Sequence, residues 1–317
     1  MLPALLTTVL FAISAVCAGR TTKLLGGTEA NFWRITLATL LLGLWAHLFG
    51  QGLSGRAFPF FLLSGFVGFG VGDLALYQAY PRLGSRLCMI LVHCVAAPFG
   101  AIIEWLWLGT QITLPQIICG TVILTGVAIA LAPDHRVHLS RGALVPGVLF
   151  GLVAGCGQGF GAVLSRKAYA VAEQAGQMIL GVNQGITAAY QRIIAGWAIG
   201  TLFYLVLKYV QRRNDATNPS QNRGPTHPGS LRSKWQLAGP WVIANALAGP
   251  AIGVSCFQWA LASESTAVVL PIVAVTPLVV IPFARVTEGD RPGLRSIFGA
   301  VIAVAGVAVL TWMRLRG

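Results

Sequence analysis

Ten predominantly apolar stretches follow one another along this chain, near 2–18, 31–49, 58–80, 87–108, 114–132, 143–163, 187–209, 238–262, 266–284 and 294–313. A helix rises about 1.5 Å per residue, so roughly 20 apolar residues cross the ~30 Å hydrocarbon layer of a bilayer. Lipid offers no water to backbone N–H and C=O groups, which limits a spanning chain to helices or closed barrels, and runs of this length select helices. Turn-forming, charged segments separate most of them, such as GQGLSGR at 50–56, YPRLGSR at 80–86, APDHRVHLSRG at 132–142 and TEGDRPGLR at 287–295. The pattern predicts an all-α polytopic membrane protein with ten transmembrane helices.

Composition removes the competing classes. Apolar residues make up 56% of the chain and charged residues 10%, against roughly 25% charged in soluble domains, too few to cover a water-exposed surface of this size. The net charge of +13 comes from 22 Lys and Arg that fall in short bursts between the apolar runs, forming no basic face for nucleic acid. Such bursts are topology signals and headgroup contacts. Six cysteines lie inside apolar stretches without a CxxC spacing, which suits packing; neither a metal site nor a cofactor is expected. The run beginning at Leu2 has no basic residue before it and no small-residue cleavage site after it, so it reads as a first span rather than a removable signal. The long hydrophilic stretch 211–234, rich in Pro, Asn, Ser and Gly, is expected to be a mobile loop without a catalytic role.

The chain also repeats itself. VLFAISAVC from Val9 returns as VLFGLVAGC from Val148, and Phe32-Trp33-Arg34-Ile35 returns as Tyr190-Gln191-Arg192-Ile193. Tyr77-Gln78 matches Phe257-Gln258 at an offset of 180, while Pro98 matches Pro277, and GTVILTGVAIAL from Gly120 matches GAVIAVAGVAVL from Gly299, at 179. The offset grows only in loops, so two units are predicted: 1–132, and 142–317 with the hydrophilic loop inside it. Five spans per unit is an odd number, which makes the second unit enter the membrane from the opposite side, as inverted repeats.

On these residues the chain resembles the EamA-like family of the drug/metabolite transporter superfamily. The resemblance runs from the aromatic-x-Arg openings at Arg34 and Arg192 through GFGVGDLALYQAY at 68–80, the Pro98 and Pro277 helices and the Gly-rich fifth and tenth spans. It implies a ten-helix, two-unit carrier that moves small organic solutes through a cavity shared by both halves. The family often shows a Gly-Glu step after its fourth and ninth spans. Here Leu108-Gly109-Thr110-Gln111 lacks the Glu, and Thr287-Glu288-Gly289-Asp290 follows the ninth.

Orientation follows from the flanking charges. Sixteen Lys and Arg lie in or beside the loops joining spans one to two, three to four, five to six, seven to eight and nine to ten, against six on the other side with both termini. Cytoplasmic loops carry the excess, so the count places both termini outside, whereas the resemblance implies cytoplasmic termini.

Ionisable and polar groups at membrane depth are the candidates for function. Asp73 and His93 lie ten residues either side of Leu83, the centre of a predicted hairpin, and are expected at similar depth. As a pair they would form a protonatable couple for proton-linked transport; as a static pair, or as separate contacts, they would be structural. Arg34 and Arg192 are expected at opposite mouths of the cavity, attracting anionic or zwitterionic solutes, or else snorkelling to the interface. Gln78 and Gln258 are cavity candidates because they recur, with Gln158, Gln184 and Asn245 as further polar residues, interhelical hydrogen bonding being the alternative. Pro98 and Pro277, at matched positions in mid-membrane, suit gating bends or plain packing. Glu104 reads as an interfacial carboxylate, and the glycine runs as close-packing surfaces.

The reading is a secondary transporter of small organic metabolites, an exporter in the bacterial cytoplasmic membrane, working by alternating access with the lipid bilayer as its surroundings. An embedded enzyme or lipid-handling protein would need clustered acidic or His residues that nine scattered carboxylates do not supply. A channel or scaffold would have no use for a doubled unit with matched bends.

Overall fold

In a computed structural model, which describes residues 1–131, 141–178, 181–217, 228–280 and 294–316, the apolar runs form ten helices among the described residues. They are α1 Leu2–Leu25, α2 Gly27–Phe49, α3 Phe58–Gly84, α4 Leu87–Leu108, α5 Leu114–Leu131, α6 Arg141–Gln174 and α7 Val182–Thr217. Next, α8 starts as Pro228–Ala246, passes through a π-helical stretch Leu247–Ala251 and ends as Ile252–Ser263. Then come α9, Thr266–Val280, and α10, Leu294–Arg316. Eight helices have the length and apolar character to cross a membrane, and α5 and α9 are shorter apolar helices. A single residue, Gly26 at φ 82°, separates α1 from α2, and Gly84 at φ 73° ends α3; both sit in the left-handed region that glycine reaches without cost from a Cβ.

Most helices, though not α4, α5 and α9, are longer than the apolar runs predict. α7 continues to Thr217 and α8 begins at Pro228, so helix occupies both ends of the segment 211–234 expected as loop. Arg212 and Arg213 are good helix formers that extend an existing helix into water, and Pro228 takes the first helical position, where its missing N–H is not needed. The expected Thr287-Glu288-Gly289-Asp290 step lies outside the described residues.

Helix directions show how the two halves are related. At one end of the α2/α7 contact, Glu29 pairs with Lys208 at 3.6 Å and Phe32 stacks on Tyr204 at 4.3 Å between centroids. At the other, Trp45 Nε1 donates to Asn183 Oδ1 at 3.0 Å. The start of α2 thus meets the end of α7, and the helices are antiparallel. The α5/α10 contact runs the same way: Gly126 faces Ala303, Gly299 faces Ala130, and Gly306 faces Ile123. A Cβ on Gly126 would lie 2.6 Å from the backbone nitrogen of Ala303, so only glycine permits this approach. By the sequence offsets α7 is the copy of α2 and α10 the copy of α5. Copies that cross antiparallel are inverted repeats.

One buried ionic knot ties α4, α6 and α9 together. Glu104, 1% exposed, accepts from the backbone N–H of Thr266 at 2.6 Å and from its hydroxyl through Oε2. Its Oε1 accepts from Thr110 at 3.1 Å and from Arg166 Nε at 3.2 Å, while Arg166 Nη1 donates to the Leu261 carbonyl at 2.8 Å. The expected interfacial carboxylate is therefore a buried one that caps the first turn of α9, where an anion is favoured.

Candidate functional site

The site begins with two interruptions of regular helix. In α3 the stretch Phe66–Gly72 is π-helical, and the Asp73 N–H bonds to the Gly68 carbonyl five residues back. In α8 the stretch Leu247–Ala251 is π-helical, with Ile252 N–H bonded to the Leu247 carbonyl. At an offset of 180 these stretches are equivalent. Gly65, Gly68, Gly70 and Gly72 weaken regular winding in the first, and Pro250, which has no N–H to donate, forces an adjustment in the second.

Both stretches line a central cavity with about 100 Å³ of free volume, bounded also by α1, α2, α4, α6 and α7. One water requires roughly 10–15 Å³ on this scale, so the space suits several waters or a small solute. Phe11, Phe69, Leu76, Val254 and Phe257 make most of its wall apolar, and the charged groups reaching it are Arg34, Asp73 and Arg192.

The two arginines occupy related positions. Arg34, 6% exposed, lies against Gly249 of the π stretch in the other half, where an added Cβ would sit 3.3 Å from its Nη1. Arg192, 4% exposed, lies against Gly68 of the opposite π stretch, with a corresponding distance of 3.0 Å from Nη2. Each guanidinium also faces an aromatic ring of α3, Arg34 over Tyr77 at 4.6 Å and Arg192 over Phe69 at 5.5 Å. Arg34 is further held by the carboxylate of Asp73 and by Asn31 Oδ1, which accepts from Nε and Nη2 at 3.2 Å each. A buried chain continues from Tyr77, whose hydroxyl accepts from Asn245 Nδ2 at 2.9 Å, to Ser14, which donates to Asn245 Oδ1 at 2.8 Å. This chain joins α1, α3 and α8 across the two halves.

Several expectations are corrected here. Asp73 and His93 both line the cavity, but Asp73 bonds Arg34, and His93 Nε2 has no hydrogen-bond partner among the described residues. A permanent cation within reach outcompetes a neutral imidazole for a buried carboxylate. Arg34 and Arg192 are at one shared cavity, not at opposite mouths. Their helices start at Gly27 and Val182, so the two residues lie about 10 and 15 Å along the helix from those ends, too deep for an interfacial position. Gln78 and Gln258 do not line the cavity. Gln78 donates to Thr28 at 3.3 Å near the α1/α2 turn, and Gln258 is fully buried without a partner for either amide atom among the described residues. The repeat register is right but the face is wrong by one residue, about 100° on a helix: Tyr77 and Phe257 point inward instead.

Gln158 lines the cavity, Asn245 serves the Tyr77 and Ser14 chain, and Gln184 bonds the sulfur of Met178. Pro98 faces a separate apolar groove between α4, α5 and α9, beside Trp105 and Pro271, and the backbone of α4 stays helical past it. Pro277 follows a break at Ala274–Val275 in α9. Matched prolines therefore do not give matched bends. Tyr77, Phe69, Ser14 and Asn31 escaped sequence reasoning as site residues. The spacing of Phe69, Asp73 and Tyr77, four apart on one helical face, was the available signal.

Comparison with known proteins agrees with this architecture. A search of curated proteins gives no significant match. A solved structure described as "Crystal structure of protein" superposes with a TM-score of 0.69 at 16% identity, covering 99% of this chain and 98% of that one, which shows a shared fold. The model of the EamA-like transporter family matches residues 1–132 and again 145–312. The chain is thus a multi-pass integral membrane protein that belongs to the EamA-like transporter family, within the drug/metabolite transporter superfamily.

Proposed function

We propose that this protein is a secondary carrier that exports small organic metabolites across a bacterial cytoplasmic membrane by alternating access. Residues 1–132 and 142–317 act as the two units that rock about the cavity. The observation that carries this reading is the convergence of Arg34 and Arg192, from antiparallel copies of one helix, on a single cavity flanked by two equivalent π-helical stretches. Inverted repeats meeting at a central site with locally irregular helices are the arrangement that lets two conformations of similar energy face opposite sides. A pore for passive flow needs neither the mostly apolar walls nor the ionic contacts between halves.

Proton coupling belongs to the same reading and runs through Asp73. A proton on its carboxylate and the Arg34 guanidinium are alternatives, so protonation would free Arg34 and loosen α2 from α3. His93, without a bond to Asp73, is not needed for that step.

The test is solute counterflow in proteoliposomes containing the full-length chain. Flux that saturates with solute concentration and is accelerated by the same solute on the opposite side supports the carrier. Flux that rises linearly with gradient and shows no trans-acceleration would assign a channel.

A further inference from the structure

The two arginines are equivalent in the repeat but not in their surroundings. Arg34 has Asp73 as its counter-ion. At the offset of 180 the position equivalent to Asp73 is Gly253, and a Cβ built there would lie 2.9 Å from the ring of Phe11, so that place is already filled. Arg192 is left without a carboxylate in ion-pair distance among the described residues, and its Nε is buried with no hydrogen-bond partner. The Phe69 face lies 5.5 Å away, and Asp73, already in contact with Arg34, attracts it only at longer range. A cation–π contact gives about 0.5–2 kcal/mol, whereas removing a guanidinium from water costs several.

The cavity lining thus carries two guanidinium groups and one carboxylate, and that carboxylate is already engaged by Arg34. Among the described residues one positive charge has no carboxylate in contact, in a chamber whose other walls are mostly apolar. An ammonium-bearing solute would find no free carboxylate there among the described residues. A phosphate dianion would find one free guanidinium for two charges. A carboxylate matches the planar fork of an arginine with two parallel hydrogen bonds and a single charge.

We propose that the solute is a small organic monoanion, a carboxylate on an apolar or aromatic body, whose carboxylate pairs with Arg192 while the body lies against Phe69 and Phe257. This rests on the carrier reading and names its substrate class. Arg192 is the specificity residue, and the solute supplies the counter-ion that it lacks among the described residues.

The full-length protein in lipid nanodiscs is titrated with phenylacetate, benzoate and butyrate and with the corresponding amides, following intrinsic Trp fluorescence and melting temperature. At least one carboxylate is expected to bind about tenfold or more tightly than its amide, since a charge-assisted pair is about twice as strong as a neutral hydrogen bond. Arg192→Gln is expected to weaken carboxylate binding by about tenfold or more, to the level of the amide, with Arg192→Lys intermediate. Without ligand, Arg192→Gln is expected to melt at or above the wild-type temperature, because it removes an unpaired buried charge; a merely structural arginine would give a lower melting temperature. Equal binding of acids and amides, an acid preference that survives Arg192→Gln, or no binding by any acid of the series overturns the proposal. Counterflow of labelled phenylalanine, a zwitterion, without binding of any carboxylate would overturn the monoanion and leave the carrier standing. Carboxylate binding that depends on Arg192, with no saturable counterflow, would uphold the site and overturn the carrier.

Discussion

Partly buried Asp73 and buried Arg34 form an ion pair between α3 and α2, with the guanidinium over the Tyr77 ring and Asn31 Oδ1 accepting from its Nε and Nη2 edge. Removing one partner leaves the other charge without compensation away from water. Asp73→Asn is therefore expected to destabilise the protein by roughly 3–5 kcal/mol, while Arg34→Met combined with Asp73→Leu recovers most of that loss. Thermal unfolding in detergent, followed by size-exclusion profile, checks the order. A double variant less stable than Asp73→Asn would show that the pair contributes net stability by itself.

The same pair separates proton coupling from a static role. Solute efflux driven by a pH gradient is expected to lose its dependence on that gradient in Asp73→Asn, with counterflow at equal pH retained, and to keep it in His93→Gln. Vesicle flux with an imposed gradient reads both. Loss of the gradient response in His93→Gln alone would return the coupling to the imidazole.

Glu104 offers a stability prediction far from the cavity. It accepts four hydrogen bonds, from Thr266 twice, Thr110 and Arg166. Glu104→Ala strands the Arg166 side chain and the first turn of α9, and a loss of about 3–5 kcal/mol is expected, with Glu104→Gln milder because acceptor capacity partly survives. Melting temperatures of both variants decide; equal loss in both would assign the effect to charge alone.

How much of this was legible in the sequence depends on the kind of signal. Span number and the inverted doubling came through because hydropathy and residue offsets are one-dimensional properties, and the offset of 180 even places Phe66–Gly72 opposite Leu247–Ala251. Depth came through poorly. The apolar runs begin at 31 and 187, which puts Arg34 and Arg192 at mouths, whereas polar residues such as Thr28, Glu29 and Asn183 are inside the helices. Facing was the other loss: Gln78 and Gln258 recur, but their neighbours Tyr77 and Phe257 enter the cavity. Partner choice is three-dimensional and could not be read at all, as Asp73 shows by pairing with α2 rather than with α4.

Orientation in the bilayer follows from the charges that remain outside the cavity. Arg34 and Arg192 are cavity residues and drop out as topology signals, leaving fifteen Lys and Arg on the side of the odd-to-even loops against five on the side of the termini. The excess marks the cytoplasmic face. Alkaline phosphatase fused after Gly317 is expected to be active outside the cytoplasm, and a fluorescent protein at the same place dark in that compartment. The opposite pattern would show that the short charged loops do not set topology here.

Pro277 interrupts the backbone hydrogen bonding of α9. Its missing N–H leaves the Val273 carbonyl without its usual donor, and the hydroxyl of Thr276 takes that place at 2.6 Å. Around it the winding tightens: Val275 N–H donates to Ile272 at 3.2 Å and Leu278 N–H to Val275 at 2.9 Å, both three residues back, while Thr8 of α1 adds a hydrogen bond to the Ile272 carbonyl at 3.2 Å. If this break serves the rocking of the second unit, Pro277→Ala, which restores the donor, should rewind α9 and lower turnover by about tenfold with unchanged or higher stability. Thr276→Val strands the Val273 carbonyl instead and should cost about 1–3 kcal/mol of stability. Pro98→Ala, in a helix that stays regular, should change turnover less than Pro277→Ala. Counterflow rates set against melting temperatures for the three variants test this, and equal effects at Pro98 and Pro277 would make both prolines packing residues.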